Sequence, residues 1–138
     1  MANRVAHFEI HAVDPDKLAE FYTKLFGWNI KKWSGPVDYW MVMTGEKYDD
    51  KGHCIDEGNG IDGGIVKRQG KMPEHGAPAN SFVCTVVVTD VEAFAKKAVE
   101  LGGVNVVPKY SIPQVGDIAY CTDPDGNIFG LHAAEKKG

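Results

Sequence analysis

The sequence predicts an α+β fold made of two tandem modules, each a strand, a helix and three further strands (βαβββ). Two observations support this prediction. A strand-like run followed by an amphipathic helical pattern occurs twice along the chain. The aspartates before the two helical patterns, Asp14 and Asp90, are 76 positions apart, and so are the glycines after them, Gly27 and Gly103. A fixed offset of this kind indicates one supersecondary unit used twice.

Each predicted helix has a start signal and a stop signal. An aspartate carboxylate accepts hydrogen bonds from the N–H groups of the first helical turn, which have no partner within the helix. A glycine adopts the left-handed conformation that ends a helix. Between these signals apolar residues recur every three or four positions, as a half-buried helix requires. They are Leu18, Phe21, Tyr22 and Leu25 in the first copy, and Val91, Phe94, Ala98 and Leu101 in the second.

Three strand-like runs follow each predicted helix. They are WNIKKW, DYWMVMTG and GIDGGIVKR in the first half, and VNVVPKY, DIAYCTD and NIFGLHAA in the second. The turn sequence DPDGN comes directly before the last run. We expect a single domain over residues 1–138, with module one at about 3–67, a connection at 68–80, and module two at about 81–135. A helix on one face of each sheet leaves the other faces available to form a cleft.

Composition limits the possible functions. The 138 residues are 43% hydrophobic and 25% charged, as in globular proteins, and the formal net charge of -4 disfavours a nucleic-acid partner. No apolar run approaches the roughly 18 residues that a membrane span needs. We expect a cytoplasmic protein with no membrane partner, because no apolar signal segment is present at the N-terminus. Three cysteines, an odd number without zinc-ribbon spacing, argue against a disulfide framework.

The first strand contains an unusual polar stretch, HFEIH. Strand side chains alternate between faces, so His7, Glu9 and His11 share one face and Phe8 and Ile10 share the other. We expect the apolar pair to pack on the helix and the polar three to line the cleft, with Glu9 as the candidate acid–base residue. His7 and His11 cannot easily bind one metal ion together, since their Cα atoms lie roughly 13 Å apart in a strand.

Two adjacent aromatic residues give a second candidate for the cleft. Tyr39 and Trp40 lie in one strand-like run, so one faces the helix and the other faces the cleft. A large aromatic side chain in a concave site favours flat or apolar ligands. The sequence leaves the orientation open, and we favour Trp40 as the ligand-binding residue.

The stretches HFEIHAVDPDKLAEFYTKLFGW, TDVEAFAKKAVELGG and DPDGNIFGLHA resemble the vicinal oxygen chelate superfamily, which includes glyoxalase I, bleomycin-resistance proteins and extradiol dioxygenases. The resemblance covers nearly the whole chain. It implies paired βαβββ modules around a U-shaped cleft, a small-molecule ligand and assembly as a homodimer. It does not by itself imply an activity, because this fold carries several unrelated chemistries.

The resemblance also implies where a divalent metal would be bound. Metal-dependent members supply ligands from four positions, which here are His7, Gly64 or Ile65, Val83 and Gly130. Only His7 has a side chain that can bind a metal. We therefore expect no cofactor, although a divalent metal held by His7 remains open.

Gly130 indicates the parity of the last strand. Ile128 and His132 share its face, which the resemblance identifies as the cleft side. The candidate ligand-binding residues are His7, Glu9, His11, Trp40, Ile128, Gly130 and His132.

Two classes of function are consistent with these residues. The first is a small-molecule-binding protein with a degenerate metal site, or an enzyme in which Glu9 does acid–base work without metal. The second is a divalent-metal-dependent lyase, isomerase or dioxygenase that uses His7. An electrophilic metal needs several protein ligands and an open position. The substitutions at three of the four metal positions therefore favour the first class.

Overall fold

The computed structural model describes residues 2–51, 55, 60–74 and 82–135. The order of elements is βαβββ twice, which confirms the predicted α+β fold of tandem modules. The predicted connection at 68–80 lies partly outside the described residues. The elements are β1 (Val5–Ala12), α1 (Pro15–Phe26), β2 (Asn29–Lys32), β3 (Trp40–Met43), β4 (Gly63–Lys67), β5 (Val83–Val87), α2 (Val91–Glu100), β6 (Val104–Ile112), β7 (Gly116–Thr122) and β8 (Ile128–Ala134).

Contacts divide the chain into two compact units, His7–Phe82 and Met1–Ala6 with Val83–Gly138. In the first unit the strands lie in the order β2-β3-β4-β1. Strands β1 and β4 are parallel, and the other pairs are antiparallel. Helix α1 covers one face of these strands and closes a core. The core contains Phe8, Ile10, Ala12, Leu18, Ala19, Tyr22, Trp28, Ile30, Trp40, Val42 and Ile65.

The second unit repeats this arrangement with the strand order β5-β8-β7-β6. Again the first and last strands of the module, β5 and β8, are parallel. Helix α2 packs on one face of the sheet, because its apolar stripe needs a surface to bury. Its core contains Val86, Val88, Val91, Phe94, Ala95, Ala98, Ala119, Cys121, Phe129, Leu131 and Ala133.

Both helices begin as their aspartates predict. The Asp14 carboxylate accepts from the backbone N–H of Lys17 at 3.2 Å, and the Asp90 carboxylate accepts from that of Ala93 at 3.1 Å. The two caps are therefore equivalent in geometry as well as in sequence position.

The helix ends differ slightly from the prediction. Gly27 takes the left-handed conformation (φ 74°) directly after α1, as expected. After α2 the left-handed residue is Gly102 (φ 99°), one position before the predicted Gly103. Gly103 instead donates its N–H to the carbonyl of Ala98 at 2.8 Å. The two successive glycines therefore end the helix together: Gly102 takes the left-handed conformation, and Gly103 donates the closing hydrogen bond.

The DPDGN sequence forms the turn before β8 through the Asp123 side chain. Its carboxylate accepts from the backbone N–H groups of Asp125 at 2.9 Å and Asn127 at 3.0 Å, and from the Asn127 amide. The hydrogen bonds from Asn127 hold the pKa of Asp123 below its ordinary value. Gly126 supplies the left-handed residue (φ 85°). Neither described helix has the length and apolar character that crossing a bilayer requires.

The matched caps give a prediction about stability. Replacing Asp14 or Asp90 by alanine removes the acceptor from the first helical turn, so each variant should lose about 1 kcal/mol of unfolding free energy. The substitutions Asp14→Asn and Asp90→Asn leave an amide oxygen that can still cap the helix, so they should cost much less. Urea denaturation measures all four variants. Equal losses for alanine and asparagine would show that the caps do not act through this hydrogen bond.

Candidate functional site

Strand β1 separates an apolar face from a polar face. Phe8 and Ile10 are each 6% exposed and lie in the core beneath α1, which confirms the predicted side of the strand. His7, Glu9 and His11 alternate with them and therefore lie on the opposite face. Glu9 is only 8% exposed. A polar side chain this deeply buried is found in proteins only where partners compensate its lost hydration.

Tyr39 joins this polar face through His7. The Tyr39 Oη atom lies 2.5 Å from Nε2 of His7, and the two rings are close to parallel with centroids 6.2 Å apart. Burial raises the pKa of the Tyr39 phenol far above its ordinary value, and the charge of Glu9 raises it further. The phenol therefore keeps its proton well into the alkaline range, and this proton is available for hydrogen bonding.

Gly64 makes room for the Tyr39 ring. It is buried in β4, where it lies opposite Glu9 on one side and Met41 on the other. A Cβ atom at this position would stand 1.8 Å from Tyr39 Oη and 1.9 Å from Cζ. Any other residue at position 64 would thus displace Tyr39. The phenol fills the space into which a side chain at position 64 would project.

The structure corrects the choice of Trp40 as the cleft-facing aromatic residue. Trp40 is 9% exposed and lies in the helix-side core. Its indole Nε1 donates to Asp16 Oδ1 of α1 at 2.9 Å. Trp40 pairs with Ile65 of β4, which sets it on the helix side, so the preceding residue, Tyr39, faces the other way. The preference for Trp40 was wrong, and Tyr39 belongs to the candidate site.

His11 is partly buried farther along the polar face. Its backbone carbonyl accepts from the Arg68 guanidinium at 2.9 Å. Its ring Nε2 is buried, and no hydrogen-bond partner for it is found among the described residues. Buried ring nitrogens are almost always satisfied in native proteins, so we expect a partner beyond the described side chains.

In the second unit, β8 has the predicted parity. Phe129 and Leu131 lie in the core beneath α2, and Ile128 and His132 alternate with them on the other face. Ile128 is 43% exposed. The Nε2 atom of His132 donates to the carbonyl of Val115 at 2.9 Å, which ties β8 to the turn between β6 and β7. His132 therefore has a structural contact that the sequence did not indicate.

Gly130, like Gly64, has a side-chain hydroxyl group close to the place where a Cβ atom would stand. It is buried in β8, opposite Thr85 of β5. A Cβ atom on Gly130 would stand 2.8 Å from the Thr85 hydroxyl oxygen and 3.3 Å from the Tyr120 ring. A hydroxyl-bearing side chain thus covers the last-strand glycine in both units.

The residues at the four metal positions implied by the family resemblance do not fit a divalent cation. Val83 and Gly130 offer no donor. At the position that the resemblance assigns to Gly64 or Ile65, Ile65 is fully buried in the core, and the Tyr39 phenol fills the place of a ligand side chain at Gly64. His7 alone has a donor, and its Nε2 contacts Tyr39 Oη. Across the described part of the chain, no three His, Cys, Asp or Glu side chains come together in a way that could hold a metal. A protein-bound catalytic metal ordinarily has three protein ligands.

A cavity of about 690 Å³ lies in the second unit near the start of α2. Charged groups in its wall already have partners there. The Asp117 carboxylate accepts from the Ser111 hydroxyl at 2.5 Å, and the Glu92 carboxylate lies 3.6 Å from the Lys109 ammonium. The sequence patterns did not indicate this cavity, and its paired charges point to no particular ligand.

The buried phenol predicts a specific dependence of stability on pH. Below about pH 10 both folded and unfolded Tyr39 keep the proton. Above that value only the unfolded state releases it, so the unfolding free energy should fall by about 1.4 kcal/mol per pH unit through this group. The Tyr39→Phe variant should show a shallower decline between about pH 10 and 11. Denaturant titration at each pH measures this, and identical slopes for wild type and Tyr39→Phe would contradict it.

Comparisons with known proteins agree with this architecture. The sequence model of the Glyoxalase/Bleomycin resistance protein/Dioxygenase superfamily matches residues 4–131. CFP32 of Mycobacterium tuberculosis, a protein provisionally named a glyoxylase, is 28% identical over 137 residues. That match covers 93% of this chain but only 44% of CFP32, so the chain spans less than half the length of this relative.

Two solved structures show the same fold at low sequence identity. Methylmalonyl-CoA epimerase of Streptomyces coelicolor, in complex with 2-nitronate-propionyl-CoA, is 15% identical with a TM-score of 0.60, over 99% of this chain and 100% of that one. A glyoxalase/bleomycin resistance protein/dioxygenase superfamily member from Vibrio splendidus 12B01 is 14% identical with a TM-score of 0.57, over 97% and 100%. The chain therefore belongs to the glyoxalase/bleomycin resistance protein/dioxygenase superfamily.

Proposed function

We propose that the protein binds a small organic molecule at the polar face of β1 and that it does so without a resident divalent metal. The observation that carries this proposal is the pair formed by Tyr39 and His7 over Gly64, with Oη and Nε2 2.5 Å apart. Where a metal-dependent member would present a Lewis acid, this chain presents a neutral phenol and an imidazole. Such a pair recognises a ligand through hydrogen bonds.

The polar groups on this face suit a ligand that bears an oxygen acceptor. A phenol hydroxyl donates one hydrogen bond and accepts up to two. If Nε2 of His7 donates the hydrogen bond to Tyr39 Oη, the phenol proton remains available for a ligand oxygen. The buried Nε2 of His11 gives a further polar contact. The epimerase that shares this fold is in complex with 2-nitronate-propionyl-CoA, which supports an organic ligand here.

Glu9 is the residue we propose for acid–base work if the ligand is also a substrate. Its carboxylate is buried, and its charge acts on the neighbouring phenol of Tyr39. A carboxylate beside a neutral phenol can accept a proton while the phenol donates one. Binding without turnover requires only the hydrogen bonds. Glu9→Gln separates the two cases, because it keeps the shape of the side chain but cannot accept the proton.

We expect metal-free protein to bind its ligand through Tyr39. Protein purified without chelator should contain well under one equivalent of metal, and chelator treatment should not change its ligand binding. A panel of small carbonyl and carboxylate compounds, screened by thermal shift and then by calorimetry, should give ligands that bind Tyr39→Phe about tenfold more weakly, as the loss of one hydrogen bond implies.

The matched control for this experiment is Trp40→Phe. It alters an aromatic residue one position away that faces α1, so its ligand affinity should equal that of the wild type even though the bond to Asp16 is lost. Near-stoichiometric metal that disappears in His7→Ala would overturn the proposal. It would instead favour a metal-dependent lyase, isomerase or dioxygenase.

We also propose that the protein is a cytoplasmic homodimer. The outer strands β2 and β6 do not favour edge-to-edge pairing. Strand β2 is short and contains Lys31 and Lys32, and β6 contains Pro108. Better support comes from the outer surface of α1. Phe21, which is 54% exposed, and Leu25, which is 58% exposed, lie one turn apart there. Exposed apolar groups of this kind often mark contacts between subunits.

Sedimentation velocity at micromolar concentration should therefore give a species near twice the monomer mass of 15.1 kDa. Phe21→Glu should shift this species toward the monomer, since it places a charge within the apolar surface. The matched change Glu20→Gln, one position away on the same helix, should not. A monomer alone at these concentrations would contradict the dimer.

A further inference from the structure

We infer that the Tyr39 phenol itself keeps divalent metal out of the polar face of β1, by occupying the place of a ligand at position 64. This inference rests on the proposed function, in which the site works without a resident metal. Tyr39 and the glycine beneath it would thus disfavour a metal ion here, and changes at these two positions should allow one to bind.

The backbone would allow three donors to meet on this face. Gly64 of β4 lies directly opposite Glu9 of β1, and His7 lies two residues before Glu9 on the same face. Neighbouring strands are about 4.8 Å apart, and same-face residues of one strand about 6.6 Å. A carboxylate at position 64 would stand beside Glu9 and within reach of an ion shared with His7. The ligand set of one His and two carboxylates is one that divalent metals accept.

Tyr39 prevents this arrangement in two ways. Its ring leaves no room for a side chain at position 64, where even a Cβ atom would stand 1.8 Å from the phenol oxygen. The same phenol engages the Nε2 atom of His7 at 2.5 Å, the atom that would coordinate the metal. Truncating Tyr39 therefore both opens the space above Gly64 and removes this contact from His7.

The second unit also has a hydroxyl group close to its last-strand glycine, but at a different position. Thr85 lies 76 positions after Glu9, and it pairs with Gly130 as Glu9 pairs with Gly64. There the Thr85 hydroxyl stands 2.8 Å from the place of a Cβ atom on Gly130. A hydroxyl oxygen thus lies over the last-strand glycine in both units, although it comes from a residue before β3 in the first unit and from β5 in the second.

The steric part of the inference is tested by a double-mutant cycle. Gly64 is not one of the glycines with a left-handed backbone, and the three nearest atoms to a Cβ atom there all belong to Tyr39. Gly64→Ala should lower the melting temperature clearly in the wild type. In a Tyr39→Ala background the same change should have little or no effect, because the phenol is gone. An equal loss in both backgrounds would overturn the inference.

The metal part is tested by titrating Ni²⁺ into four folded proteins by calorimetry. They are the wild type, Tyr39→Ala/Gly64→Glu, the same pair with His7→Ala, and the matched control Tyr39→Ala/Gly64→Gln. The Tyr39→Ala/Gly64→Glu protein should bind Ni²⁺ at least about 100-fold more tightly than the wild type. Changing a residue that only hydrogen-bonds to a metal ligand typically alters metal affinity by about 10–100-fold, and gaining a ligand should alter it at least as much. Adding His7→Ala, or using the glutamine control, should abolish this gain. Circular dichroism confirms that each protein is folded.

The outcomes separate this inference from the proposed function. If Tyr39→Ala/Gly64→Glu is folded and gains no affinity, or gains affinity that does not depend on His7, the inference is wrong while metal-free ligand binding stands. If the wild type already binds Ni²⁺ tightly through His7, the proposed function fails and this inference fails with it. If the glutamate variant does not fold, the alanine cycle decides. A gain that requires both His7 and the new carboxylate supports the inference.

Discussion

The two-residue alternation of strand β1 determines both the core of the first unit and its polar face. Phe8 and Ile10 must face α1 to bury the core of the first unit, and this fixes His7, Glu9 and His11 on the other face. A shift of one residue in the pairing with β4 would place the carboxylate of Glu9 in the apolar core. The stability of the unit and the identity of its polar site are therefore set by the same register.

Local patterns predicted most of the fold. The caps at Asp14 and Asp90 act within three residues of their own position, and the turn at Asp123 closes within four, so their effects can be read from a short stretch of chain. The end of α2 shows the limit of this approach. With Gly102 and Gly103 adjacent, sequence alone does not say which one takes the left-handed conformation.

The candidate site was harder to predict because it depends on pairing between distant segments. Alternation says that Tyr39 and Trp40 face opposite ways, but only the pairing of Trp40 with Ile65 decides which way. A usable signal was present: Trp40 and Val42 share a face, and the apolar Val42 suits the core better than a polar surface. The sequence alone shows that position 64 has no side chain that could bind a metal. That the Tyr39 phenol takes up the vacated space follows only from three-dimensional packing.

The hydrogen bond from His132 to the Val115 carbonyl has a consequence for the imidazole ring and for the hairpin beside it. A carbonyl oxygen can only accept, so the contact requires a hydrogen on Nε2 of the ring. The bond links β8 to the turn of the β6–β7 hairpin through a side chain. This histidine therefore fastens the hairpin turn in addition to the backbone pairing between β7 and β8.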